Sequence, residues 1–331
     1  MDLQPVEYSL FSGEMSKVKK IWDETFQDPA PFTDYYFDNI CKVNDIVVAM
    51  VNEKIIGMIH LNYYSVMYYG REVTAVYIVG VAVVPKYRRK GIMKGMMEYA
   101  FSYAKKKGVM FGFLMPKNRQ YYLGIGFTHV YETKNIRLRI PKVLDYGKHF
   151  DPYTVCRLGM CDDAFFDVLA LGINEALGKK YEIYCRRNPT YLKQMCLEHK
   201  CQNGDVCVLY DTSGDKIIIK GIFSYDVYGK TIYIDRYELF DDTFDIFFAL
   251  LFDIGSKYGC EICNIMMPDD YYNSLFHNSK NQTVSWLAKN NLVEEITEGY
   301  GIMVKSLCDD STENDICPER FFGQCFFDEI V

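Results

Sequence analysis

Nowhere in the 331 residues is there an unbroken apolar run approaching the ~20 residues a membrane-spanning helix needs. The N-terminal MDLQPVEYSLF has no basic head followed by an apolar stretch, so it does not read as a secretory signal. An excess of basic charge is missing too. The formal net charge is −7 and the pI near 5.4, which repels phosphate backbones and argues against nucleic acid as the main partner. Twelve cysteines are present, but with no export signal they read as reduced, mostly buried thiols. Only Cys260 and Cys263 have the spacing of a metal or redox pair. No second pair and no nearby histidine accompanies them and the run reads as strand, so no metal is expected. The phosphate-binding fingerprints GxxxxGK[ST] and GxGxxG are also absent. What remains is a cytoplasmic, globular chain with no membrane or nucleic-acid partner.

Its 49% apolar content, with 28 tyrosines and 22 phenylalanines, is enough for a sizeable core and excludes disorder. At roughly 150 residues per domain the length predicts about two domains. Over the first 140 residues, strand and helix periods alternate. A short strand at 7–11 precedes a helix over 15–26 with Val18, Ile21 and Trp22 on one face, then a second, aromatic-rich helix over 32–40. Strands over 46–51 and 55–64 flank the turn Asn52-Glu53-Lys54, and Tyr69-Gly70-Arg71 leads into a long strand over 73–84. Ile92, Met96, Met97, Ala100 and Ala104 then recur at helical spacing up to Gly108. A strand over 109–115, a short helix over 120–123 and a β segment running to Ile140 complete the block.

The polar stretch from Pro141 to Pro152 reads as the boundary, after which a similar order of elements recurs. Within it, 231–240 reads as one strand and 294–304 as an antiparallel pair or a long strand. The expected layout is a first domain over 1–150, a second over 151–305 and a tail over 306–331, of mixed α/β class.

The chemically informative stretch is Val79-Gly80-Val81-Ala82-Val83-Val84-Pro85-Lys86-Tyr87-Arg88-Arg89-Lys90-Gly91-Ile92-Met93, in which a strand ends, a basic loop turns and a helix begins. A helix start offers unpaired N–H groups and a positive dipole end, Gly91 allows close backbone approach, and Arg88, Arg89 and Lys90 add charge: a phosphate cradle, or only a solvated cap. This stretch resembles the GNAT acetyltransferase superfamily, whose (Q/R)-x-x-G-x-(G/A) signature follows a strand end of the form V-x-P-x-(Y/H)-R. Arg88-Arg89-Lys90-Gly91-Ile92-Met93 stands at that signature, and the bulky Met93 in its last position is similar to the Eis-type, tandem-GNAT branch. The resemblance implies two GNAT folds, an active N-terminal copy and a degenerate C-terminal one. It implies that acetyl-CoA is the co-substrate, its pyrophosphate on the N–H groups of Arg88, Arg89, Lys90, Gly91, Ile92, Met93 and Lys94 and its pantetheine arm along Val81, Ala82 and Val83. Tyr122, five residues before Phe127 of the Gly126-Phe127 pair, is by the same resemblance the general acid for the departing thiolate, with Tyr121 as its rival and core packing as the bland alternative.

The acceptor's base is less defined. Eis-like proteins hold their own C-terminal carboxylate in the site, which would nominate Val331, although the 26 residues after 305 are too few for the third domain that delivers it there. His60 is a second candidate, against the plainer reading of a half-buried strand histidine. Trp22, Phe26, Phe32, Tyr35 and Tyr36 with Asp23, Asp28 and Asp34 would suit a cationic acceptor, a small amine or a lysine side chain, or else form core and solvated face. In the second copy Asp241-Asp242 stands where the basic loop would be and would repel a pyrophosphate, so one cofactor per chain is expected. The activity implied is acetyl transfer to a primary amine, in a chain that is free to form homo-oligomers. A CoA-binding sensor that has lost turnover is the alternative. A tRNA-dependent aminoacyl transferase does not suit the intact loop or the acidic charge.

Overall fold

The computed structural model describes residues 5–142, 154–211, 217–240, 243–276, 282–308 and 316–327. They form two compact units. Of the described residues, one holds those up to Val130 with the return segment Ile302–Phe322; the other holds Tyr131–Gly301 and Gly323–Phe327.

The first unit begins with β1 (Glu7–Leu10), α1 (Met15–Thr25) and α2 (Ala30–Tyr35), the last followed by a π-helical turn over Tyr36–Ile40 rather than by a continuous helix. Next come β2 (Asp45–Val51), β3 (Lys54–Tyr68), β4 (Arg71–Val83), α3 (Ile92–Lys106), β5 (Phe111–Leu114), α4 (Gln120–Leu123) and β6 (Thr128–Tyr131). The β2–β3 turn carries positive φ at Asn52 and Glu53, and the β3–β4 turn at Tyr69 and Gly70, the two-residue geometry that matches strand twist. α3 buries the expected stripe of Ile92, Met96, Met97, Ala100 and Ala104 against Val47, Ile59, Leu61, Val76 and Ile78 of the sheet.

The second unit contains β7 (Thr133–Arg139), β8 (Thr154–Arg157), α5 (Asp163–Lys180), β9 (Ile183–Cys185), α6 (Pro189–Lys200), β10 (Asp205–Asp211), β11 (Ile218–Tyr228), β12 (Thr231–Ile234) and β13 (Tyr237–Leu239). α7 (Phe244–Lys257), β14 (Ile262–Pro268), α8 (Asp269–Phe276), α9 (Gln282–Lys289) and β15 (Val293–Glu298) follow. β16 (Ile302–Ser306) returns to the first unit, and β17 (Cys325–Phe326) pairs with β9. α5 and α6 are capped by Asp162 and Asn188, whose side chains accept the N–H groups of Phe165 and Tyr191. α7 is apolar on nearly every face and forms the middle of its unit's core with Phe247, Phe248, Leu251 and Phe252.

The two sheets share one plan. The first runs β1-β2-β3-β4-β5-β16-β6 and the second β8-β10-β11-β12-β14-β7-β15, each with its parallel pair between the fourth and fifth strands. In each, the sixth position is filled by a strand from the other half of the sequence: β16 pairs antiparallel with β5, and β7 with β14. The repeat expected from element order is therefore present, with its last strands exchanged. This alters two expectations. Residues 133–139, expected to close the first sheet, lie in the second. Residues 294–304 are neither a hairpin nor one strand, because β15 pairs with β7 and β16 with β5. The expected junction over 141–152 lies outside the described residues from 143 on, as do the tip of the β10–β11 hairpin and Asp241-Asp242. The tail is not wholly separate either: Phe321 is buried in the first unit, its ring 5.2 Å from Phe111 and 5.8 Å from Tyr68. Among the described residues no helix is long and apolar enough to cross a membrane.

Candidate active site

The site is built on a bend in β4. Between the pairs Met58↔Ala82 and His60↔Val79, β3 advances two residues and β4 three, so β4 carries one extra residue. The bulge falls at Gly80, whose φ of +61° is left-handed. Glycine is required twice over here, since a Cβ would lie 2.4 Å from the Trp22 ring and 2.9 Å from that of His60. Gly80→Ala is accordingly expected to destabilise the chain by about 3 kcal/mol and to lower Tm by roughly 5–10 °C in a thermal melt; an unchanged Tm would remove the bulge from the account.

The bend has a consequence on the other edge of β4. Its parallel pairing with β5 covers only Ala75↔Phe111, Val76↔Gly112 and Tyr77↔Phe113. From Ile78 to Val83 the strand keeps β3 on one side and, among the described residues, has no β5 partner on the other, so that edge is open to a ligand apart from the Val83 carbonyl. Val81 and Val83 are half-buried and pack against the same apolar cluster as Met93, Tyr87 and Tyr122.

Beyond the open edge, Arg88 turns back and its Nε donates to the Val83 carbonyl (2.8 Å). Arg89 (φ +60°) and Gly91 (φ +79°) are both left-handed, which curls the loop, while the Arg88 N–H is taken by the Pro85 carbonyl (3.2 Å). The first bond within α3 runs from Gly95 N–H to Gly91 O (3.0 Å), and no side chain caps the helix. The N–H groups of Ile92, Met93 and Lys94 thus have no partner within the helix, at the positive end of a fifteen-residue dipole. Arg88, Arg89 and Lys90 are exposed around them, and the ammonium groups of Lys86 and Lys90 lie 4.9 and 5.6 Å from the Tyr87 ring centre. Every feature of this loop suits a polyanion.

Tyr122 is half-buried on α4, its ring edge-on to Phe127 at 5.8 Å, and its carbonyl accepts the N–H groups of Ile125 (3.1 Å) and Phe127 (3.2 Å). Burial pushes its phenol up to about 12, so it remains a proton donor over the whole neutral range. Tyr121, its rival, is 66% exposed and does not belong to the apolar cluster.

Other candidates fare differently. His60 is fully buried and burial alone drives it down to about 3, which makes it too weak a base for an ammonium substrate. Its Nδ1 faces the Tyr36 hydroxyl and the Cys41 thiol, each at 3.4 Å, within the cage of Trp22, Tyr36 and Phe37. Trp22, Phe32, Tyr35 and Tyr36 are themselves core residues rather than the floor of a groove. Asp23 and Asp34 are exposed on Lys19, while Asp28 accepts from Trp22 Nε1 (2.9 Å) and is pushed up by its partial burial. Val331 lies outside the described residues. Cys260 and Cys263 are buried in the second core, and burial raises both thiols.

The second copy repeats the frame of the site and blocks it. Leu239 faces Gly221 as Val83 faces Gly57, and the one-residue bulge recurs between Phe223↔Tyr237 and Asp226↔Tyr233. It interrupts the strand read over 231–240, because at Arg236 the chain turns inward to a buried ion pair with Glu198 (2.6 Å). Only Phe240–Thr243 separates β13 from α7, where Val84–Gly91 separates β4 from α3. Tyr271 lies on α8, the helix that follows β14 as α4 follows β5, and its hydroxyl accepts the Leu239 N–H (3.3 Å) and contacts the fully buried Glu238, which Lys180 and Tyr181 also bind. The backbone edge open in the first copy is closed here by side chains. Sequence reading missed this plug, although Met115-Pro116 with Tyr121-Tyr122 and Met267-Pro268 with Tyr271-Tyr272 are a visible echo.

An open, bulged fourth strand followed by an uncapped helix start, on a mixed sheet present twice, is the arrangement of the tandem GNAT fold. Residues 9–130 match the family described as Acetyltransferase (GNAT) domain. Three solved structures share the fold. A GCN5-related N-acetyltransferase from Anabaena variabilis aligns with 92% of this chain and 73% of its own (TM-score 0.66, 12% identity). Eis1 from Mycobacterium abscessus aligns with 92% and 74% (0.54, 11%). A tandem GNAT protein from the clavulanic acid biosynthesis pathway aligns with 93% and 100% (0.53, 9%). No curated protein matches the chain.

Proposed function

We propose that this protein is an N-acetyltransferase that moves the acetyl group of acetyl-CoA to a primary amine by direct attack in a ternary complex. The observation that carries the reading is the open edge of β4 leading into the uncapped start of α3. Main-chain groups of Val81, Ala82 and Val83 hold the pantetheine arm, and the N–H groups from Arg89 to Lys94 take the pyrophosphate, that of Arg88 being held by Pro85, with the exposed basic side chains adding charge. The neutral amine nitrogen attacks the thioester carbonyl, the C–S bond breaks as the amide forms, the nitrogen gives up its proton to water, and the Tyr122 phenol gives its proton to the departing thiolate and regains one from water. Glu238 and Tyr271 in the second copy support one cofactor per chain. The working compartment is the cytoplasm, and the acceptor is a small amine or a lysine side chain.

The test is calorimetric titration with acetyl-CoA and CoA, followed by thiol release over a panel of amines. We expect one site per chain and amine-dependent release of CoA. Binding without release on any amine would favour a sensor, and no binding would end the proposal.

A further inference from the structure

The strand that returns from the far end of the sequence brings one side chain to the tyrosine turn. Lys305 of β16 lies opposite Gly112 of β5, and its Nζ donates to the Ile125 carbonyl (2.5 Å) while standing 4.9 Å from the centre of the Phe101 ring. Gly126, with φ +88°, lets the turn come this close; a Cβ there would lie 3.0 Å from Nζ. The turn it holds is the one that sets Tyr122. Ile125 and Phe127 both donate to the Tyr122 carbonyl, Gly126 donates to Leu123, and Phe127 packs between the rings of Tyr122 and Phe101, each at 5.8 Å. α4 itself spans only four residues, the first N–H of which, that of Gln120, is accepted by Asn118 Oδ1 (3.0 Å). Such a short helix has little stability of its own.

We propose that Lys305 is a positioning residue for acyl transfer: its ammonium clamps the Ile125 carbonyl and so fixes the turn that aims the Tyr122 phenol. The proposal rests on the reading of Tyr122 as proton donor. A charge-assisted bond in a half-buried place restrains the turn more firmly than a neutral one. The cost is visible on Lys305, whose ammonium is pushed below the usual lysine range by burial, against the opposing pull of Glu98. Without the clamp the phenol remains present but is no longer held within the few tenths of an ångström that proton transfer demands.

The experiment compares the parent with Lys305→Met, Lys305→Arg, Tyr122→Phe and the Tyr122→Phe/Lys305→Met double variant. The readout is thiol release from acetyl-CoA with spermine, an aminoglycoside or a lysine peptide, whichever the parent turns over fastest. We expect Lys305→Met to lower kcat about tenfold with the Kd for acetyl-CoA within twofold, Lys305→Arg to restore most of it, and Lys305→Met to cost nothing further in the Tyr122→Phe background. The Arg variant guards against a misfolded Met variant. Parent-like turnover by Lys305→Met, or an equal loss in both backgrounds, overturns the role of Lys305 while leaving Tyr122 in place. A Tyr122→Phe variant as fast as the parent overturns the reading of Tyr122, and a parent that uses none of the three amines overturns acyl transfer to them together with this proposal.

Discussion

Gly91→Glu should abolish binding of acetyl-CoA and CoA in a calorimetric titration while leaving the thermal melt within a few degrees of the parent. Both halves of that expectation follow from the local geometry. Nothing lies within 4 Å of a Cβ built on Gly91, so the larger side chain has room. The φ of +79° costs a non-glycine residue about 1–2 kcal/mol, which a chain of this size tolerates. The new carboxylate, however, would stand at the mouth of the N–H groups of Ile92, Met93 and Lys94. Two like charges about 5 Å apart at an effective dielectric near 20 repel by about 3 kcal/mol, and a pyrophosphate carries more than one charge. Affinity should fall at least 100-fold. Gly91→Ala separates the two effects, since it carries the backbone strain without the charge and should bind within about tenfold of the parent. Unchanged affinity in the Glu variant would remove the loop from the cofactor site.

Tyr122→Phe is expected to lower kcat by about 10²–10³, the range general acids contribute, with the Kd for acetyl-CoA unchanged. The phenylalanine ring keeps the edge-on contact with Phe127, and the carbonyl of residue 122 still receives Ile125 and Phe127, so fold and binding should survive. The pH profile gives an independent check. Burial raises the phenol's pKa to about 12, so the proton is retained well above neutrality, and ionisation of Tyr122 should impose no alkaline loss of activity below about pH 11. Equal turnover by the two proteins would move the acid elsewhere. Tyr121, exposed and outside the apolar cluster, would be the next variant to make.

The stretch from Val79 to Met93 was legible because its features are local. A glycine and three basic residues mark the turn from strand to helix, and the turns at Asn52 and Gly70 likewise state themselves in two residues. What escaped the sequence is set by distant partners. Residues 133–139 and 302–306 look like ordinary strands, and nothing in Thr133–Arg139 says that Ile262–Pro268 rather than Phe111–Leu114 receives it. The interruption of 231–240 depends on Glu198 accepting Arg236 from another element. His60 read as half-buried because alternation along β3 cannot reveal the bulge that presses Gly80, Trp22 and Tyr36 around it. Lys305 was unreadable for the same reason: its chemistry depends on a carbonyl almost two hundred residues away in the chain.

The exchanged strands also bear on how the chain is made. Phe111 has its neighbour only when Ser306 has left the ribosome. At ~5–20 residues per second, this leaves the growing edge of β5 unpaired for about 10–40 s. An open strand edge held that long invites pairing with other nascent chains, and closing so long a loop is slow. The half that carries Tyr122 is thus translated first and finished last, so a chain that reaches β16, rather than one of 130 residues, is the shortest in which that sheet holds its sixth strand.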